Sequence, residues 1–189
     1  MGKTVLFMSM SLDGFISGPG DDHANPLGIG GERLHDWFTT PGPARDEMLA
    51  EYQATGAVLT GRRTYDLADG WGGDHHGVPI VVVTHAAPQK VPKGPSPIVF
   101  VTDGVEVGVA AAKLAAKDKD RDILVHGAEL ARELLRLGHL DELQIHLVPV
   151  LLREGRKLFE HIDAEHIELA IIRVLPADDV THLRYRVVW

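Results

Sequence analysis

The chain has 189 residues, 44% of them hydrophobic and 24% charged, and 27 acidic side chains against 19 Lys and Arg give a net charge of −8. That length and balance suit one domain with a full core and exclude wholesale disorder. Acidity argues against nucleic acid as a partner, and no apolar run approaches the ~20 residues of a membrane span; without cysteine there are no disulfides, thiolate metal sites or thiol nucleophiles.

The N-terminus, MGKTVLFMSMSLDG, has one Lys and a short apolar stretch, which suits a buried strand over Thr4–Met10 and not a signal peptide, so a cytoplasmic protein is expected. Ser11 to Gly31 carries Asp-Gly, Gly-Pro-Gly and Asn-Pro and reads as one long loop, of a length that usually covers something. Glu32–Phe38 reads as a short helix, and Ala44–Ala54 as a longer one with Met48, Leu49 and Tyr52 on one face. Ala57–Thr60 is a short strand running into Gly61-Arg62-Arg63-Thr64 and a helical turn. A glycine-rich loop around Trp71 spans Asp69–Val78.

Pro79–Thr84 and Ile98–Thr102 have the composition of buried strands. Asp103 and Glu106 have capping-box spacing for a helix to about Lys117. The basic cluster from Lys113 to Arg121, interleaved with aspartates, reads as a solvated helix end. Asp122–Val125 is a strand. Ala128–Leu137 is a helix on the stripe Leu130, Ala131, Leu134, Leu135 and Leu137, closed by Gly138. Leu143–Leu151 is an apolar run through His146 and Pro149, and Ile167–Val174 and His182–Trp189 form a hairpin about residues 176–180. The total is roughly eight strands and four helices, an α/β order that turns antiparallel at the end, in a single domain over 1–189.

Two strand–glycine–helix junctions carry the chemistry. His126-Gly127-Ala128-Glu129 opens a helix with no Ser, Thr, Asp or Asn at its start, leaving backbone donors free for an anion, or serves as a plain glycine cap. Gly61-Arg62-Arg63-Thr64 adds two guanidinium groups suited to phosphate. Two such junctions suggest a ligand with separated phosphates, such as a dinucleotide. No G-x-G-x-x-G is present, so this is not an ordinary Rossmann site.

The order of motifs is recognisable: Ser11-Leu12-Asp13-Gly14, Gly61-Arg62-Arg63-Thr64-Tyr65, Val83-Thr84-His85 and Leu124-Val125-His126-Gly127-Ala128. Leu140-Asp141-Glu142-Leu143, Val148-Pro149-Val150-Leu151-Leu152 and Gly155-Arg156-Lys157-Leu158-Phe159 follow. The chain resembles the dihydrofolate reductase-like superfamily, most closely the branch of the riboflavin-biosynthesis reductase domain. The resemblance implies a mostly parallel eight-stranded sheet with flanking helices and NADPH across its strand ends. It implies that Gly61, Arg62, Arg63 and Thr64 hold the adenosine end and pyrophosphate, with Thr84 and His85 near the 2′-phosphate. Gly127, Ala128, Glu129 and Leu130 then offer backbone donors, with His126 either reaching the ligand or crowding the turn. Asp13 to Ile16 border the nicotinamide and the substrate. Members of this branch are commonly homodimers.

Two departures stand out. Riboflavin reductases carry Lys where this chain has Phe7, so a substrate ribose phosphate loses a cation. Glu32, Asp36, Asp46 and Glu47 are all possible counterparts of the helix carboxylate of folate reductases, without a clear match. Asp13 is the first candidate for protonating the substrate, or else only a turn residue bonding its own backbone. Trp37 and Trp71 either wall a flat substrate or lid the core, and His146 either faces the pocket or is a core histidine. His75-His76 is not expected to chelate, because neighbours in extended chain point apart, and no metal is expected. The leading function is an NADPH-dependent reductase of a small planar heteroaromatic or carbonyl substrate. The alternatives are a non-catalytic NADP-binding protein and a pterin or folate reductase proper.

Overall fold

The computed structural model describes residues 2–116, 120–162 and 166–189. Its main sheet has eight strands in the order β5-β4-β3-β6-β1-β7-β10-β9. These are β1 (Thr4–Ser11), β3 (Ala57–Gly61), β4 (Ile80–Val83), β5 (Ile98–Val101), β6 (Ile123–His126), β7 (Glu142–Val148), β9 (Glu168–Pro176) and β10 (Thr181–Val188). Pairing is parallel from β5 through β7 and antiparallel across β7, β10 and β9. A small second sheet pairs β2 (Phe15–Ser17) with β8 (Arg156–Lys157) antiparallel.

The strand sequences alternate between two cores, as a period of two requires. Leu6, Leu59, Val81 and Val125 point to one face and pack with Val109, Ala112, Leu130 and Leu134. The last four come from α3 (Val105–Ala116) and α4 (Ala128–Arg136). Their neighbours Phe7, Val58, Val82 and Leu124 point to the other face, against Leu34, Trp37 and Met48. Those three lie on the 3-10 helix Gly31–Phe38 and on α1 (Pro43–Ala54). Helices on both faces of a parallel sheet explain why the central strands read as continuous apolar runs.

Three expectations change. Ser11 to Gly31 is not all loop: Phe15–Ser17 pairs with Arg156–Lys157, a partner two residues long and too short to alternate. Gly155 sits at φ 130, where a Cβ would lie 2.0 Å from the Ser17 carbonyl oxygen, so glycine permits this crossing. Ile98–Val101 is an edge strand and not a buried one, with Val99 exposed. The apolar run at Leu143–Leu151 leaves the sheet at Val148, ahead of Pro149. The expected end of α3 and the middle of the basic cluster, 117–119, lie outside the described residues. Among the described residues no helix is long and apolar enough to cross a membrane.

β6 enters the sheet between β3 and β1, although it follows β5 in the chain. The chain therefore departs in opposite directions from neighbouring strands there. A crevice opens at the strand ends of such a reversal.

Candidate active site

A cleft of about 340 Å³ occupies that crevice. Its walls come from the ends of β3 and β6, the starts of α2 (Arg62–Leu67) and α4, the 16–27 segment and Arg156 of β8. Of the residues singled out from sequence, Ile16, Gly61, Arg63, Thr64, Trp71, His126, Gly127, Ala128, Glu129 and Leu130 line it. The two junctions meet: Gly127, at φ 99, would place a Cβ 2.5 Å from Thr64 Oγ1, so only glycine lets α4 start against α2. α4 has no side-chain cap, and its first backbone donors open on the cleft.

The rim is ionic. Asp21 accepts from Arg63 at 3.0 Å and from Arg156 at 3.3 Å, and Arg156 reaches Glu129 at 3.4 Å. Arg63 also donates to the Asp21 carbonyl at 2.9 Å. Partial burial pulls the Asp21 carboxyl upward, but the two guanidinium groups outweigh it and hold the group below the usual carboxylate range. Asp21 and Glu129 are the carboxylates on the cleft wall.

The floor is neutral. His126 Nδ1 lies 3.1 Å from the Phe7 carbonyl oxygen, so Nδ1 carries the hydrogen and Nε2 remains an acceptor. Burial lowers its pKa to about 4, with that bond acting weakly against the shift. His35, lowered by burial, has an Nδ1 that is buried without a partner. Tyr52 completes the floor, its phenol raised by burial to about 12. At neutral pH none of the three is charged.

The structure places several sequence candidates off the cleft. Asp13, the first candidate for protonating a substrate, lies off the cleft, and its carboxylate accepts from Ser11 Oγ at 2.6 Å, Leu152 N at 3.1 Å and Arg153 N at 2.7 Å. Desolvation opposes them, yet these bonds together hold it ionised below its ordinary pKa. Asp13 thus ties the turn after β1 to the segment after β7. Trp37 is core and not a pocket wall, 1% exposed, with Nε1 donating to Ser9 Oγ at 2.9 Å. Phe38 lines the cleft in its place. His146 is core as well, its Nδ1 2.7 Å from that of His182.

Arg62 is committed elsewhere, to Asp66 at 2.8 Å and to the Ala86 carbonyl at 2.7 Å. The Thr84 hydroxyl turns back on Ala86, and neither Thr84 nor the exposed His85 lines the cleft. Phe7 packs on His146 at 4.2 Å in the core, so no charge at that position faces the cleft. Glu32, Asp36, Asp46 and Glu47 are exposed and off the cleft. His75 and His76 do not point apart: His76 adopts φ 43, which brings the two Nδ1 atoms to 2.8 Å. Among the described residues no group of three or more metal-ligating side chains gathers.

Asp21, His35, Tyr52 and Arg156 were missed. Arg156 lay within a recognised motif and Tyr52 on a helix face read as core; no sequence signal marks Asp21 or His35.

The fold is that of the dihydrofolate reductase-like reductases. Dihydrofolate reductase from Enterococcus faecalis, solved in complex with NADP(H), superposes with a TM-score of 0.61 at 14% identity, over 98% of this chain and 96% of that one. A protein of riboflavin biosynthesis from Shewanella sp. PV-4 superposes with a TM-score of 0.74 at 22% identity, over 99% of both chains. A pyrimidine reductase-like protein from Corynebacterium diphtheriae gives 0.67 at 13% identity, over 100% and 92%. The RibD C-terminal domain profile matches residues 3–182, and the chain belongs to that family. No curated protein matches it in sequence.

Proposed function

We propose that the protein is an NADPH-dependent reductase that delivers hydride to a small planar heteroaromatic or carbonyl substrate. Membership of the RibD C-terminal domain family and the fold support a reductase role. The observation that carries the reading is the division of one cleft into an ionic rim and a neutral, ring-lined floor. The residues fit a dinucleotide: the uncapped start of α4 and the guanidinium groups of Arg63 and Arg156 suit phosphates. Trp71, Phe38 and Ile16 suit a flat ring pair, and His35 Nδ1 is an orphan polar atom beside them.

When bound, NADPH supplies the hydride; the protein orients it and keeps water from the reacting atoms. We also propose that the protein works in the cytoplasm as a homodimer, paired through the β9 edge, where Leu169, Ile171, Ile172 and Val174 are exposed. Calorimetric titration with NADPH and with NADH tests the main reading. Micromolar NADPH binding and much weaker NADH binding are expected, and failure of both to bind refutes it.

A further inference from the structure

Beside the cleft, four side chains form one unbroken hydrogen-bond chain. Tyr52 Oη lies 2.9 Å from His75 Nε2, and His75 Nδ1 lies 2.8 Å from His76 Nδ1. His76 Nε2 lies 3.0 Å from Thr55 Oγ1. Thr55 Oγ1 lies 2.8 Å from the Tyr52 carbonyl oxygen, which can only accept. The inner end lines the cleft; His75 is 2% exposed, and His76 is only half-buried. The backbone is bent to make the contact, since His76 holds φ 43 and the His75 N–H is fixed on Ser96 Oγ at 2.9 Å.

The bond from Thr55 Oγ1 to the Tyr52 carbonyl sets the direction of every other. Thr55 donates to the carbonyl, so His76 Nε2–H donates to Thr55, His75 Nδ1–H donates to His76, and the Tyr52 hydroxyl donates to His75. The opposite polarity forms when His76 Nε2 releases its hydrogen to solvent, the Thr55 hydroxyl rotates onto that nitrogen, the intervening hydrogens shift along the chain and Tyr52 takes up a proton from water in the open cleft. His76 Nδ1–H then donates to His75, His75 Nε2–H to the Tyr52 oxygen, and the Tyr52 hydrogen is free to face the cleft.

We propose that Tyr52, His75 and His76 form a proton relay between the cleft floor and solvent, with Thr55 setting its polarity. Its use as the proton source for a reduced substrate rests on the reductase reading; the relay itself does not. In that use, the substrate atom left electron-rich by the hydride takes the Tyr52 proton. The His75 Nε2 proton moves to the Tyr52 oxygen, the His76 Nδ1 proton moves to His75 Nδ1, and water protonates His76 Nε2. One proton enters from water, one reaches the substrate, and the chain is left in the first polarity. Both histidines end neutral, which suits His75, whose imidazolium burial disfavours so strongly that its pKa falls to about 2.

The test is nitrogen-15 NMR of histidine-labelled protein, which needs no hydride acceptor. The free protein is expected to carry hydrogen on Nδ1 of His75 and on Nε2 of His76. Exchange of the buried His75 proton is expected to quicken with added imidazole buffer. In His76→Asn, a side chain that tolerates positive φ but stops short of His75, exchange is expected to slow about tenfold and lose its buffer dependence. Thr55→Val keeps the shape and is expected to release His76 into a mixture of tautomers. A His75 proton that exchanges equally in wild type and His76→Asn overturns the relay, as does a Thr55→Val protein with His76 held in one tautomer. Loss of NADPH binding sinks the reductase reading alone and leaves these outcomes to decide the relay.

Discussion

His146 and His182 face each other across β7 and β10, fully buried, with Nδ1 atoms 2.7 Å apart and both Nε2 atoms without partners. Trp37 seals the pair, its ring centroid 4.3 Å from one imidazole and 4.8 Å from the other. Replacing one histidine by Leu, of similar volume, strands the other's Nδ1 and is expected to cost about 1–3 kcal/mol. Replacing both removes all four ring nitrogens of the pair at once, and the double variant is expected to match or exceed wild-type stability at pH 7.5. Acid separates the proteins further. Burial, helped by the Arg173 charge, lowers His182 from 6.5 to about 4. The unfolded chain thus takes up a proton below pH 6.5 while the folded one resists until near 4, and stability present above 6.5 is lost across that window. At pH 5 His182 alone accounts for a loss of about 2 kcal/mol. His146, also lowered, adds a loss of the same sign. Urea unfolding at pH 7.5 and 5.0 measures both effects. If the His146→Leu/His182→Leu protein loses as much stability on acidification as wild type, the neutral buried pair is wrong.

Asp21→Asn frees Arg63 and Arg156 for a ligand phosphate and is expected to tighten NADPH about three- to tenfold at low salt, by calorimetry, with the gain shrinking as salt screens the rim. Gly127→Ala forces a side chain into φ 99 and onto Thr64, and is expected to cost about 1–3 kcal/mol in chemical denaturation and to weaken NADPH binding. If the protein pairs through the β9 edge as proposed, Ile171→Arg there is expected to leave stability within about 0.5 kcal/mol and to give a monomer in sedimentation; a monomeric wild type refutes that interface.

The fold was legible where burial imposes a period. The stripe on α4 announces a helix covered on one side, and the apolar runs of β1, β3, β4 and β6 announce strands covered on both faces. Legibility failed where contacts are distant or short. Arg156–Lys157 is too brief to show alternation, and the clamp on Asp13 comes from Leu152 and Arg153, some 140 residues along the chain. Trp37 and Trp71 look alike in sequence, and only the sheet decides that the first plugs a core and the second walls a cleft. The two histidines at 75 and 76 defied the expected alternation because one left-handed residue cancels it. Both Gly junctions were readable because each follows a strand directly, whereas Asp21 lies in a loop whose path no local pattern dictates.

The separation of charge along the cleft bears directly on the proposed hydride transfer. Hydride arriving at a neutral ring or carbonyl leaves negative charge on the acceptor, and a carboxylate beside it opposes that charge in a low-dielectric site. Here Asp21 is neutralised at the rim by two guanidinium groups and Asp13 is withdrawn into backbone bonds. The floor offers Tyr52, His35 and His126, hydrogen-bonding groups without net charge. Such a floor lets charge develop on the acceptor and still provides a hydroxyl to quench it. An ionised acid placed there would need protonation before it could help, and until then would raise the barrier. With Glu32, Asp36, Asp46 and Glu47 off the cleft, the proposed proton supply runs instead through a neutral chain that ends in a phenol near the end of α1.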